Sequence, residues 1–213
     1  MIPTQPSGQQ PFAALRALAR KRPPEERCEL CSAGLAPEHT HLIEPATRRL
    51  LCSCDACAIL LSGRQGAKYR RVPRVVQFWP DFRMTDAQWE GLHIPINLTF
   101  FFHSTPVARV VALYPSPAGA TESLLTLEAW RDLAENNPVL AELEPDVEAL
   151  LVNRVDHARD YYRVPVDECY KLVGLIRSKW RGLSGGADVW EDIGRFFSGL
   201  KQRSGYAGEA AHA

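Results

Sequence analysis

Two Cys-x-x-Cys pairs, Cys28-Glu-Leu-Cys31 and Cys54-Asp-Ala-Cys57, constrain this chain more than any other feature. Two intervening residues let both thiolates of a pair face one ion, and two such pairs complete the tetrahedral shell that zinc prefers. The spacing therefore assigns Cys28, Cys31, Cys54 and Cys57 as metal ligands. Cys52 stands just upstream of the second pair, and Cys169 alone of the six cysteines lies outside this stretch. In a reducing compartment such a cluster points to metal ligation rather than a disulfide framework. Met1–Gln10 lacks the basic-then-apolar order of a secretory signal, so a cytoplasmic protein is expected.

The residues between the pairs sharpen the geometry. Thr40–Glu44 and Arg49–Ser53 are expected to pair as strands across the turn Pro45-Ala46-Thr47-Arg48. Cys54 and Cys57 would then occupy the first turn of a helix ending at Gly63. A knuckle, a hairpin and a helix start in that order resemble a treble clef, and the partial positive charge of a helix N-terminus favours thiolates. A unit this small is not expected to fold without its ion. Cys52 is an alternative to Cys54 as ligand, but the matched spacing favours Cys54 and leaves Cys52 as a packed or spare thiol. His39 and His41 are alternative fourth ligands, although a surface position is the simpler expectation for both.

Iron is the rival metal, because two Cys-x-x-Cys pairs also hold the single iron of rubredoxin and Cys52-Ser-Cys54-Asp-Ala-Cys57 resembles part of an iron–sulfur site. Rubredoxin-type knuckles place glycine just after the second cysteine, whereas Ser32 and Ala58 stand there. Zinc is therefore the expected cofactor.

The remaining chain reads as an α+β domain over 68–200, following an N-terminal tail and short helix (1–24) and the metal module (25–63), with a disordered tail at 201–213. Pro11–Lys21 is the expected short helix. Strands are expected at Val72–Phe78 and Val147–Val155, and an antiparallel hairpin from Ile96–His103 and Val107–Tyr114. Helices are expected at Thr85–Leu92 with a Thr-x-x-Gln capping box, at Thr126–Asn136, from Pro165 to Trp180 with Gly182 as its cap, and at Ala187–Leu200. Pro115–Ser123 reads as a loop.

Several function classes are disfavoured by the residues. Acidic and basic side chains balance at 25 each, which leaves no global field for nucleic acid or an anionic membrane. The longest mostly apolar stretch, Ile94–Phe102, falls short of a membrane span and contains Pro95 and Asn97. Cys28, Cys31, His39 and His41 resemble the opening of an HNH-type nuclease, but Pro45–Lys68 holds no asparagine or histidine to complete a hydrolytic metal site. Gly182-Leu-Ser184-Gly-Gly186 has the letters of a hydrolase elbow without the preceding strand. Cys169 reads as a core residue, and Asp156, His157, Asp160, Asp167 and Glu168 as a solvated acidic patch.

Four stretches taken together, Cys28–Cys31, Arg48–Cys57, Tyr114–Ser123 and Trp180–Gly186, resemble an uncharacterised bacterial family encoded beside actinobacterial-type, high-affinity nickel–iron hydrogenases. That resemblance implies a role in assembly or electron transfer with a hydrogenase subunit or maturation factor as partner. It assigns no activity to particular residues. The expectation is a non-catalytic zinc-binding accessory protein, with an iron electron carrier as the first alternative and a nucleic-acid-binding zinc finger or HNH-like nuclease as the second.

Overall fold

The computed structural model describes residues 26–64, 66–123, 127–182 and 185–206. The expected Pro11–Lys21 helix, the cap Thr126, Ser184 and the tail beyond Tyr206 lie outside the described residues. The architecture is α+β.

A seven-stranded sheet carries the larger part, in the order β10-β4-β9-β8-β5-β6-β7. Its strands are β4 (Gln77–Phe78), β5 (Leu98–Ser104), β6 (Arg109–Ser116), β7 (Gly119–Ser123), β8 (Glu148–Asn153), β9 (Asp160–Pro165) and β10 (Gly205–Tyr206). Every pairing is antiparallel except that of β10 with β4. Successive strand side chains point to opposite faces, and both faces are covered. Phe100, Phe102, Leu151, Tyr162 and Val164 face a core closed by α4 (Val166–Lys179) and α5 (Ala187–Arg203). Phe101, Leu150, Val152 and Tyr161 face the opposite core, closed by α2 (Asp86–Gly91), α3 (Leu127–Asn136), Trp79 and Leu140. Burial on both faces explains why the middles of β5, Phe100–Phe102, and β8, Ala149–Val152, are unbroken apolar runs without a polar alternate face.

The smaller part is a three-stranded sheet, β2-β1-β3, formed by β1 (Thr40–Glu44), β2 (Arg49–Ser53) and β3 (Arg70–Arg71), with α1 (Asp55–Ser62) against it. Arg48, at φ 57, sits in the turn joining β1 and β2, and its amide donates to the Glu44 carbonyl at 2.8 Å. The two parts share an apolar junction of Ile43 and Val72 with Val147 and Val166. Arg70 reinforces it, donating to the Pro145 carbonyl at 2.8 Å and to Glu144 at 2.6 Å.

Several expectations are corrected. Of the strand placed at Val72–Phe78 only Gln77–Phe78 forms, as β4; β3 ends at Arg71, and Pro73 has no amide to continue a ladder. Residues 115–123 form a hairpin rather than a loop: Ser116 Oγ accepts from the Ala118 amide at 3.2 Å and donates to the Gly119 carbonyl at 2.9 Å, closing a tight turn. Asp160, read as part of a solvated patch, starts β9. Glu168, read the same way, is 5 % exposed and ion-paired to Lys171 and Arg203. Gly182 has φ 62 but does not cap α4, which ends at Lys179 as Trp180 turns extended. The chain beyond Leu200 stays regular through Tyr206, as α5 continues to Arg203 and β10 follows. The Thr85 capping box forms as expected, with both reciprocal bonds to Gln88.

Candidate metal centre

The first pair sits on a tight knuckle. The Ser32 amide donates to the Cys28 carbonyl at 2.8 Å and the Cys28 amide to the Ala33 carbonyl at 2.8 Å, folding the chain back on itself. Ser32 closes the turn at φ 64, a left-handed conformation that favours glycine. The position has the geometry of a knuckle glycine but is filled by serine.

Glu29 fastens this knuckle to the hairpin. Its amide donates to the Cys52 carbonyl at 2.9 Å, and its carboxylate accepts from the Cys52 amide at 2.9 Å and from Arg49 at 2.7 Å. Nothing in the Cys-x-x-Cys spacing signals this clamp.

The second pair opens α1. Cys54 is the N-terminal cap, its sulfur accepting from the Cys57 amide at 3.5 Å. Asp55 occupies the first turn and accepts from the Thr40 hydroxyl at 2.6 Å, and Ala58 is fully buried against Leu42 and Leu51. The structure brings the sulfurs of Cys28, Cys31, Cys54 and Cys57 within 4.8 Å of one another, with Cys31 and Cys54 at 3.7 Å. Four thiol sulfurs at this separation are able to hold a metal ion.

Their protonation is divided. Burial raises the Cys28 thiol, but hydrogen bonding from the Cys54, Leu30 and Cys31 backbone outweighs it and brings the group down to about 6. Hydrogen bonding with Cys31 and Cys54 pushes Cys57 up to about 12, with burial adding to it. Cys31 is drawn down by the Ala33 backbone, yet its contacts with Cys28 and Cys54 prevail and raise it. A thiol that shares its proton with a neighbouring sulfur is harder to ionise, and a bound cation favours the thiolate form of every ligand.

Cys52 does not join this group. It pairs with His41 across the β1–β2 ladder, and with His39 and His41 it makes a second cluster whose ligand atoms lie within 4.8 Å. The histidines are not the surface residues expected from sequence: the His39 side chain is 7 % exposed, and His41 bonds Asp167 of α4 at 2.7 Å. The i, i+2 spacing of His39 and His41 and the hairpin register contained this grouping, since both place all three residues on one face of the ladder. Cys169 lies fully buried in the main core, where burial drives its thiol well up.

Residues 27–204 match the model of a family of unknown function, DUF5947. The chain belongs to that family. Comparison of this DUF5947 chain with curated proteins and with solved structures finds no match. The matched segment takes in both cysteine pairs and the sheet they dock against, so the cluster lies within the family's domain. Among the described residues no helix is long and apolar enough to cross a membrane.

Proposed function

We propose that Cys28, Cys31, Cys54 and Cys57 hold one zinc ion in a treble-clef-like module, and that the protein is a non-catalytic accessory or scaffold for a nickel–iron hydrogenase. Four cysteine donors leave no open coordination position, which suits a structural ion rather than a reaction centre. The observation that carries a contact role is on α1, directly after the last cysteine. Ile59, Leu60 and Leu61 are 66 %, 72 % and 40 % exposed. Three consecutive large apolar side chains in water favour an apolar surface of a partner protein. The partner class, a hydrogenase subunit or maturation factor, comes from the resemblance in Cys28–Cys31, Arg48–Cys57, Tyr114–Ser123 and Trp180–Gly186.

The exposure of Cys31 favours a second reading, an iron-bearing electron carrier, because it would bring the ion's edge to the surface. Metal analysis separates the two. Protein purified without oxygen is expected to be colourless with about one zinc per chain. A visible thiolate-to-iron band with stoichiometric iron would transfer the proposal to the carrier.

The scaffold role is tested in a hydrogen-oxidising host. Deleting the gene is expected to lower mature hydrogenase or its coupling to respiration, and tagged protein to recover a hydrogenase component. Leu60→Glu should abolish that recovery while leaving the metal content unchanged. Normal hydrogen uptake in the deletion strain, with nothing recovered, would sink both readings.

A further inference from the structure

We propose that His39, His41 and Cys52 form a second metal site, separate from the four cysteines, that takes a divalent transition-metal ion such as Zn(II) or Co(II). One nitrogen of each imidazole and the Cys52 sulfur already lie within 4.8 Å of one another. The rings of His39 and His41 stand edge to face at 4.8 Å between centroids.

The hydrogen bonds fix which nitrogens are free. His39 Nδ1 lies 2.9 Å from the Ala36 carbonyl, with Glu26 at 3.4 Å, and both of these oxygens only accept. Nδ1 therefore carries the proton, and Nε2 presents a bare lone pair. That Nε2 is buried with no hydrogen-bond partner, on a side chain 7 % exposed. A buried acceptor left unpaired costs free energy unless something occupies it. His41 repeats the arrangement, its Nδ1 donating to Asp167 Oδ2 at 2.7 Å. A carboxylate or carbonyl on Nδ1 is the partner that metal-ligating imidazoles use to fix their tautomer. Asp167 Oδ1 is likewise buried and unpartnered.

Two imidazoles and a thiolate suit zinc or cobalt, and three protein donors leave a fourth position open. His39, His41 and Cys52 line a cleft between the hairpin and the main domain, together with Arg74, Tyr170 and Lys171. A nucleophilic Cys52–His41–Asp167 arrangement would need only one imidazole. It leaves unexplained why a second, bare-Nε2 imidazole packs against the first.

The test is a Co(II) titration of purified protein carrying one zinc per chain, followed by visible and near-ultraviolet absorption with zinc release monitored. A further equivalent of cobalt is expected to bind without displacing zinc and to give a thiolate-to-cobalt band. Cys52→Ser should remove that band, and His39→Gln should weaken the added equivalent at least tenfold, both variants retaining the first zinc. Histidine ring nitrogen resonances should report Nε2 ligation in the wild type. Cobalt bands that appear only with equal release of zinc would place the ion among the four cysteines and overturn the proposal. A cobalt equivalent unaffected by both His39→Gln and Cys52→Ser would overturn it equally.

Discussion

Cys28→Ser should strip the proposed ion and unfold the hairpin and knuckle, whereas Cys52→Ser should leave both intact. Cys28 is 1 % exposed, is held at both its amide and its carbonyl by the knuckle, and has its thiol brought down by backbone hydrogen bonds. A serine hydroxyl is a poor ligand for a borderline-soft metal, so the loss should exceed the ~100-fold cost of changing an outer hydrogen-bond partner. Beyond the ion, the module is held mainly by its junction with the main domain, Ile43 and Val72 on Val147 and Val166. Its private core is Leu42, Leu51 and Ala58, with Leu30 and Tyr69 packed around them, too few side chains to offset the entropy of ordering the knuckle, hairpin and helix.

The same chemistry sets a pH dependence. Before the ion binds, Cys57 lies near 12 and Cys31 above its ordinary value, so both hold protons at neutral pH and must release them on binding. Acidification therefore weakens binding, by about tenfold per displaced proton per pH unit, so that these two alone give about 100-fold per unit as a minimum. Metal content per chain, metal affinity across pH 6–8 and proteolytic cleavage within 26–63 are the measurements. Stoichiometric metal in Cys28→Ser would falsify the assignment. Loss of metal in Cys52→Ser with retention in Cys54→Ser would reassign the second pair.

What could be read from the sequence was local. The β1–β2 hairpin, the start of α1, the β5–β6 hairpin and the Thr85 capping box follow from alternation, β-branched and aromatic runs and turn chemistry acting within about ten residues. The strands that were missed draw their stability from elsewhere. β7 reads Gly-Ala-Thr-Glu-Ser and has little strand propensity of its own, but β6 supplies its partners. β10 exists because the end of α5 delivers it beside β4. The second cluster was half legible: His39, His41 and Cys52 share a face once the hairpin register is known. The residue that orients His41, Asp167, is 126 positions away, and no local pattern joins them.

The other large effect is expected far from any cysteine. Asp146→Ala should destabilise the fold by about 3 kcal/mol, because three kinds of support end together. Asp146 is 2 % exposed and accepts from the Thr105 amide at 2.8 Å and the Thr105 hydroxyl at 2.7 Å, fixing the β5–β6 turn. It also meets Arg70 at 3.3 Å, tying β3 and hence the cysteine-bearing hairpin to the main sheet. Finally, its φ is 64, a left-handed conformation that aspartate and asparagine tolerate better than alanine. Three substitutions separate these contributions. Asp146→Asn keeps an acceptor for the Thr105 amide and the tolerated backbone, and should cost about half as much as alanine. Asp146→Gly relieves the backbone but restores no bond, and should fall about 1 kcal/mol short of alanine's full cost. Thermal unfolding reads the series directly, the alanine variant melting roughly 6–12 °C below the wild type. Metal content should stay at the wild-type level throughout, since Asp146 reaches the module through Arg70 of β3 rather than through a cysteine. If alanine and asparagine prove equally destabilising, the carboxylate's bonds to Thr105 contribute less than its charge toward Arg70. A melting temperature unchanged in Asp146→Ala would mean that Arg70, Pro145 and Glu144 hold the junction unaided.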